Sequence, residues 1–340
     1  MIDECAVFFC GAGLATAGLT QAGFRPVVAI DCDEWAATSH NLNFSDHPPV
    51  VIANLQLGSA ADLPSVARLG QSWDGLAWLS PPCQPFSMAG KKDPARDLRS
   101  KLLLASAEVA EALPRAWVVT ENVAGLLKGN SKPYLDDLLA RHAAAGRRHA
   151  VWRLKCEDWV PNRRPRVFIV AAPVGFPGEF PVAPKVTGRA RPTMAQVIGP
   201  GFEDVDPEFV SLKPLEYLLY RDISPGGNWE STERGSLARR YAGLLGIGPG
   251  ERRHFLRRPG WSEPAPALTT NNNGLPGRIS ALHPGELRGF TVGEARALMG
   301  VPSRFVLGGN VRNRMKQVGN GVPPPVARAV AKQVLAASGR

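Results

Sequence analysis

Cys83, Glu121 and the pair Arg164 and Arg166 each stand at the border of an apolar run, where reactive side chains are held in place by a rigid backbone. Cys83 lies in Ser80-Pro81-Pro82-Cys83-Gln84-Pro85-Phe86-Ser87, just after Leu76–Leu79. Prolines on both sides stiffen the chain and fix the direction of one thiol, as nucleophilic catalysis needs. A buried structural cysteine is the competing reading, and it leaves the two prolines unexplained. Glu121 follows Trp117-Val118-Val119-Thr120. A carboxylate beside an apolar strand suits proton donation, because desolvation disfavours its ionised form; a helix N-cap is the alternative role. In Asn162-Arg163-Arg164-Pro165-Arg166, alternate arginines share a face if the segment is extended. They either face a site or line an exposed edge.

A second group of residues fits a ligand containing a nucleoside. Phe9-Cys10-Gly11-Ala12-Gly13 ends one apolar run and opens a helical stretch. Glycines there let the backbone approach a ligand and leave helix N–H groups free. Asp31 closes the next apolar run, where a carboxylate can hold ribose hydroxyls. The same glycines also suit a plain tight turn.

These residues need a scaffold that brings strand ends together. The first half alternates apolar runs with helical stretches. Strands are predicted at Cys5–Cys10, Pro26–Ile30, Val50–Ile52, Leu76–Leu79, Ala116–Thr120, Val151–Leu154 and Val167–Ala172. Helices are predicted at Ala15–Ala22, Glu34–Leu42, Leu98–Leu113 and Pro133–Ala145. The alternation predicts an α/β fold, a doubly wound and mostly parallel sheet with helices on both faces. Ligands of such sheets bind at the carboxyl ends of the strands, where the candidate residues fall. Beyond residue 173 proline and glycine rise and the alternation stops, which predicts a second, smaller, irregular and basic domain. A helix returns at Thr291–Met299. Gln317–Ala337 reads as a Gly/Pro loop followed by an apolar helix from Val326.

Of the 340 residues, 44% are hydrophobic and 21% charged, which supports a large core and excludes a disordered chain. No apolar run is long enough to span a membrane. The acidic start Met1-Ile2-Asp3-Glu4 is unlike a secretory signal, so a cytoplasmic protein is expected. Five cysteines without a C-x-x-C pair point to reduced thiols rather than disulfides or a metal site. Residues 1–180 hold 18 Lys+Arg against 18 Asp+Glu, whereas residues 181–340 hold 22 against 12. The whole net charge of +10 thus sits in the second half. Arg234, Arg239, Arg240, Arg252, Arg253, Arg257 and Arg258 cluster there with Glu251. Such a lobe either binds a polyanion, nucleic acid first, or is a solvated basic face.

Taken in order, these motifs resemble the cytosine-5 DNA methyltransferase family, which depends on S-adenosylmethionine and includes restriction-modification and orphan enzymes. The resemblance runs from Phe9–Gly13 through Pro81–Ser87, Glu121-Asn122-Val123, Arg164-x-Arg166 and Pro266–Thr270. It continues in Phe290–Ala295 and closes with Gln317-Val318-Gly319-Asn320-Gly321-Val322-Pro323-Pro324. Residues 181–290 match no fixed pattern, as in that family's variable target-recognition region. Four positions depart from the family pattern: Val7 for Asp, Leu14 for a second glycine, Asn54 for an acid and Asn162 for Gln.

The resemblance implies a catalytic set of Cys83, Glu121, Arg164 and Arg166. Cys83 would attack carbon 6 of a cytosine flipped out of duplex DNA. Glu121 would hold ring nitrogen 3 and the exocyclic amine, Arg166 the base carbonyl, and Arg164 would support them. Phe9, Gly11, Gly13, Asp31, Asn54, Pro81, Asn320, Gly321 and Val322 would bind S-adenosylmethionine and its product S-adenosylhomocysteine. Gln84, Ser87, Arg99, Arg257, Arg258 and Thr269 would touch DNA, with the loop Ala89–Arg99 closing over the base or remaining a surface loop. No metal is implied. The implied domains are 1–180 with 315–340 for catalysis and 181–314 for recognition. The implied partner is double-stranded DNA, bound by a monomer; a cognate restriction endonuclease in the same system, without a stable complex, is possible but is not read from this chain. A transfer-RNA methyltransferase is an alternative, though that branch carries a Cys-Phe-Thr tripeptide in its second half and the last cysteine here is Cys156. An inactive DNA-binding regulator is another, disfavoured by the intact Cys83 and Glu121.

Overall fold

A computed structural model describes residues 2–86, 94–188, 190–250, 255–268 and 282–339. It contains one seven-stranded sheet. The strands are β1 (Glu4–Phe8), β2 (Arg25–Asp31), β3 (Val51–Ile52), β4 (Leu76–Leu79), β5 (Trp117–Val123), β6 (His149–Lys155) and β7 (Pro165–Ala171). Their order is β3-β2-β1-β4-β5-β7-β6. The first five pair in parallel, while β7 runs antiparallel to both β5 and β6. The sheet is therefore mostly parallel, and α/β as expected.

The sequence explains each strand's place. All four residues of β4 are buried, because the strand lies in the middle of the sheet with both faces covered. In β6, Trp152 and Leu154 point inward while Val151, Arg153 and Lys155 are exposed, the period-two pattern of an edge strand guarded by charge. Helices α1 (Leu14–Ala22), α2 (Glu34–Asn43), α3 (Pro64–Leu69), α4 (Lys-preceded Leu102–Ala112) and α5 (Lys132–Ala144) fill the connections. Phe8, Ile30, Leu79, Val109 and Val118 form one core, and Phe86, Leu103, Leu138, Val167 and Ile169 another.

Several boundaries differ from the sequence reading. β5 does not stop at Thr120 but runs on to Val123, because β7 supplies partners for Glu121, Asn122 and Val123. Leu98–Lys101 is a 3₁₀ turn capped by Asp97, and the α-helix begins only at Leu102. Gln317–Asn320 belongs to a helix, Val311–Asn320, rather than to a loop. Gly319 and Asn320 are poor helix formers, but Gln317, Val318 and Gly319 are buried and packing overrides propensity.

By its contacts the chain forms two compact units. One comprises Met1–Lys155, Pro165–Thr187 and Gly321–Arg340; the other comprises Cys156–Arg164 and Gly188–Asn320. The first unit holds the sheet and the C-terminal helix Pro324–Ala337, which packs on α1. The second has its own core of Leu219, Tyr220, Ile223, Trp229, Ala242 and Leu256. It includes short helices at Met194–Ile198, Pro214–Tyr220 and Leu237–Leu244. Strand pairing among its described residues is confined to isolated bridges such as Phe209–Thr291.

One buried cation staples the first unit. The Arg147 guanidinium donates to the carbonyls of Ala110, Leu113, Ala116 and Ala172 at 2.5–2.9 Å. It closes the C-terminal end of α4 onto the start of β5 and the end of β7. Burial lowers its pKa to about 10, which leaves it charged at neutral pH. Arg147→Met removes all four donations at once, although the Ala110 and Leu113 carbonyls keep the N–H groups of Leu113 and Ala116. We expect it to lower unfolding free energy in urea by about 3 kcal/mol or more, and a loss under about 0.5 kcal/mol, the size of an ordinary surface change, contradicts the staple.

Candidate active site

Cys83 opens the segment that leaves β4. Asn122, fully buried on β5, donates from Nδ2 to the Pro81 carbonyl at 3.2 Å and accepts the Val123 N–H on Oδ1 at 2.9 Å. Phe86 drops into the core beside Tyr134, with ring centroids 5.6 Å apart. The Phe86 N–H closes the turn on the Cys83 carbonyl at 3.0 Å. The cysteine is thus pinned on both sides and stays half-buried. Asn122 is a positioning residue that the sequence reading passed over; its signal was its place beside Glu121 at the end of β5.

Glu121 is buried and is not a solitary carboxylate. Its Oε1 accepts from the Arg166 Nε at 2.9 Å, and Arg166 also donates to the Pro165 carbonyl at 2.9 Å. The antiparallel register, which sets Val123 opposite Arg166 and Glu121 opposite Phe168, brings the two charges together. Arg166 meets Glu121, but Arg164 goes elsewhere. It belongs to the second unit, is buried, and donates to the carbonyls of Leu268 at 3.1 Å and Gly319 at 2.6 Å. The two arginines therefore have different partners in spite of their alternate spacing.

Two of the other thiols, Cys5 and Cys10, are poorly suited to react: both are buried, and burial pushes them well up, away from the thiolate form. Cys156 is buried as well, and Cys32 is exposed on the turn after β2. Arg99 is held by Asp97, whose carboxylate accepts from its Nε at 2.9 Å and its terminal nitrogen at 2.7 Å. This pairing with Asp97 raises the Arg99 pKa against the opposing effect of burial. Ser87 and Thr269 lie outside the described residues, as do residues 89–93 of the loop that begins at Ala89.

The glycine turn is built for close approach. Phe9 and Gly11 both have φ of +54°, and nothing stands within 4 Å of where a Gly11 Cβ would be. At Gly13 (φ +92°) a Cβ would come within 2.5 Å of the Phe44 ring and 2.9 Å of His40, so no other residue fits. Asp31 braces the turn. Its two oxygens accept the Gly11 N–H at 2.7 Å and the Asp33 N–H at 2.9 Å. Burial raises the Asp31 pKa against these bonds. A carboxylate has about four acceptor sites, so Asp31 retains capacity for hydroxyl donors. Open space at Gly11 beside a braced acid fits a nucleoside ligand with a free diol.

Asn54 is exposed after β3. Pro81 and Val322 are buried, Gly321 is half-buried, and Asn320 is exposed at the end of its helix in the second unit. Gln84 begins the short turn Gln84–Phe86. Arg258 is buried and donates to the Ile223 carbonyl at 3.3 Å, and Arg257 is ion-paired with Glu263 at 2.6 Å. Both are engaged within the second unit rather than held out as free cations.

A family model described as C-5 cytosine-specific DNA methylase matches residues 4–336. The chain belongs to this family of cytosine-5 DNA methyltransferases. It is 29% identical to the type II methyltransferase M.XorII of Xanthomonas oryzae pv. oryzae, covering 97% of this chain and 84% of that protein. It is 26% identical to the type II methyltransferase M.Sau96I of Staphylococcus aureus, covering 96% and 74%. Its fold is similar to that of a DNA modification methyltransferase encoded within an E. coli prophage, with a TM-score of 0.71, 18% identity and 99% of each chain covered. The S. pombe Dnmt2 methyltransferase shares the fold at a TM-score of 0.62, with 18% identity over all of both chains.

Two outcomes are expected from this geometry. A cycle of Glu121→Ala and Arg166→Ala, followed by urea denaturation, should show a coupling of about 1–3 kcal/mol; strictly additive losses contradict the pair. His40 accepts or donates at Thr16 Oγ1 (3.1 Å) and burial lowers its pKa from 6.5 to about 4. The unfolded chain therefore takes up a proton below pH 6.5 while the folded one does not. Stability should fall between pH 6.5 and about 4, by on the order of 3 kcal/mol from this group. His40→Gln should flatten part of that slope, and an unchanged slope contradicts the assignment.

Proposed function

We propose that the protein is a sequence-specific modification enzyme that methylates carbon 5 of cytosine in duplex DNA through a covalent bond to Cys83. The observation that carries this reading is the arrangement of a pinned, half-buried thiol after β4 with a buried Glu121–Arg166 pair on the neighbouring strands β5 and β7.

Carbon 5 of cytosine is too weak a nucleophile to take a methyl group unaided. The Cys83 thiolate adds to carbon 6, and the ring's electrons move to make carbon 5 nucleophilic. Glu121 holds ring nitrogen 3 and the exocyclic amine, while Arg166 donates to the base carbonyl, so the charge that develops on the ring is met by groups already in position. S-adenosylmethionine, when bound, supplies an electrophilic methyl group to carbon 5. Loss of the carbon-5 proton then restores the double bond and expels Cys83 as a thiolate. Asn122 serves this chemistry by fixing Pro81, and Arg164 by fixing the segments around Leu268 and Gly319. The base must leave the helix to be reached. Gln84, Ser87 and the loop through Arg99 close around it.

Phe9, Gly11 and Gly13 would line the donor, Asp31 would take its ribose hydroxyls, and Pro81, Gly321 and Val322 would complete the pocket, with Asn54 at its margin. The basic second unit carries target recognition, with Thr269 and the exposed arginines Arg234 and Arg240 at the DNA. The enzyme works as a cytoplasmic monomer on duplex DNA.

The test is methylation mapping. The protein is expressed in a host lacking cytosine methylation, and the host DNA is sequenced after bisulfite conversion. Protected cytosines in one short motif support the reading, and methylation found only on transfer RNA overturns it. Cys83→Ala should abolish transfer and should form no adduct with a 5-fluorocytosine duplex, while retaining DNA binding by gel shift. Full transfer by that variant refutes the covalent route.

A further inference from the structure

Leu14 stands where the family pattern has a second glycine, and the structure gives it a partner. Leu14 is the first residue of α1 and is buried to 1% exposure. Its side chain lies over Gly321. A Cβ at position 321 would meet Leu14 Cδ2 at 2.4 Å, its Cβ at 3.0 Å and its Cγ at 3.1 Å. One turn further along the same face of α1, the relation reverses. At Gly18 a Cβ would strike the Pro324 carbonyl oxygen at 2.4 Å and the Ala327 Cβ at 2.7 Å. So α1 presents a knob at Leu14 and a hole at Gly18. The returning C-terminal segment presents a hole at Gly321 and a knob at Pro324–Ala327. Gly321 has an ordinary backbone conformation, absent from the residues with positive φ. Its need for glycine is therefore one of space, set by Leu14.

We propose that Leu14 and Gly321 are paired positioning residues for the methyl donor: the leucine seated on the glycine locks the N-terminal glycine turn to the segment Gly321–Val322. The glycine turn ends one residue before Leu14, and Val322 follows one residue after Gly321. Any change in how the knob sits is transmitted directly to both walls. In place of the flexible second glycine, this chain fixes the distance between the walls by packing, so less freedom is lost when a ligand enters. The proposal rests on the reading that these two segments wall the donor pocket.

The test measures binding of S-adenosylhomocysteine by calorimetry to the full-length protein, without turnover. The reading of the pocket is checked first. If the wild type binds and Gly11→Val weakens binding while preserving the fold, that reading stands; if the wild type does not bind, or Gly11→Val binds equally well, the reading fails, whatever Leu14 does. Gly321→Ala should then weaken binding about tenfold or more, and Leu14→Ala/Gly321→Ala should recover most of the loss, a coupling within the range of contacting residues. Leu14→Ala alone, which creates space and no clash, should also weaken binding by about threefold or more. DNA affinity without donor should change little in all three, and the KM for donor should rise more than kcat falls. This split separates positioning from general destabilisation. Wild-type affinity in folded Gly321→Ala, or a double variant no better than that single one, overturns the proposal. If Gly321→Ala does not fold, wild-type affinity in Leu14→Ala overturns it.

Discussion

The antiparallel seating of β7 against β5 is the constraint on which the proposed reaction centre depends. A parallel neighbour would have needed a crossover and would have put the chain's next strand end at the same edge as Glu121. Reversal brings the start of β7 there instead, so Arg166 arrives beside Glu121 at the far end of β5. A buried carboxylate is costly alone, and a buried guanidinium likewise. Together they are held at 2.9 Å by backbone registers that neither can leave. The pair is thus better understood as a preorganised dipole than as a contribution to stability. In the proposed reaction it would meet charge on a base without having to move first.

The same economy of movement marks the glycine turn. Asp31 might have been free to turn towards a ligand, but both its oxygens already hold backbone N–H groups. The acid is fixed before anything binds. His40 and Phe44 lie beneath Gly13 so closely that a side chain there has no room. His40 stays neutral because burial lowers its pKa, so it supports the turn without placing a charge under it. Rigid loops are usual where a short ligand must be aligned, since orientation accounts for much of the barrier reduction.

Much of this was legible in the sequence, and the exceptions have identifiable physical causes. β4 was readable to the residue, because a strand buried on both faces is an unbroken apolar run ended by prolines. Cys83, Glu121 and Asp31 were readable because each ends such a run. The extension of β5 to Val123 was not, since it depends on partners supplied by β7 more than forty residues later. The split between Arg164 and Arg166 was hidden for a similar reason. Alternation predicts a shared face only within one strand, and β7 begins at Pro165, between them. Asn122 could be seen but not interpreted, because its partner is a carbonyl at Pro81. Arg147 carried no signal at all: one of two adjacent arginines after an Ala-Ala-Ala-Gly run looks like surface until four carbonyls converge on it.

The arginine cluster shows how charge counts mislead when residues are not placed. Seven arginines between 234 and 258 suggested either a polyanion-binding lobe or a solvated basic face. Those among the described residues divide by their partners. Arg239 turns inward to the carbonyls of Glu230 and Thr232, Arg258 to that of Ile223, and Arg257 to Glu263, which also takes Arg163 at 2.7 Å. These hold a unit that has few paired strands and a small core. Arg234 and Arg240 are the exposed members among the described residues. An arginine already committed to carbonyls cannot release counterions from a phosphate backbone as a free one can. The field of a basic lobe is long-range and sums all its charges, whereas a direct phosphate contact needs a cation that is not already engaged. Guanidinium suits both tasks because its planar fork satisfies several acceptors at once. That is why an irregular unit short of sheet hydrogen bonds is rich in arginine rather than lysine.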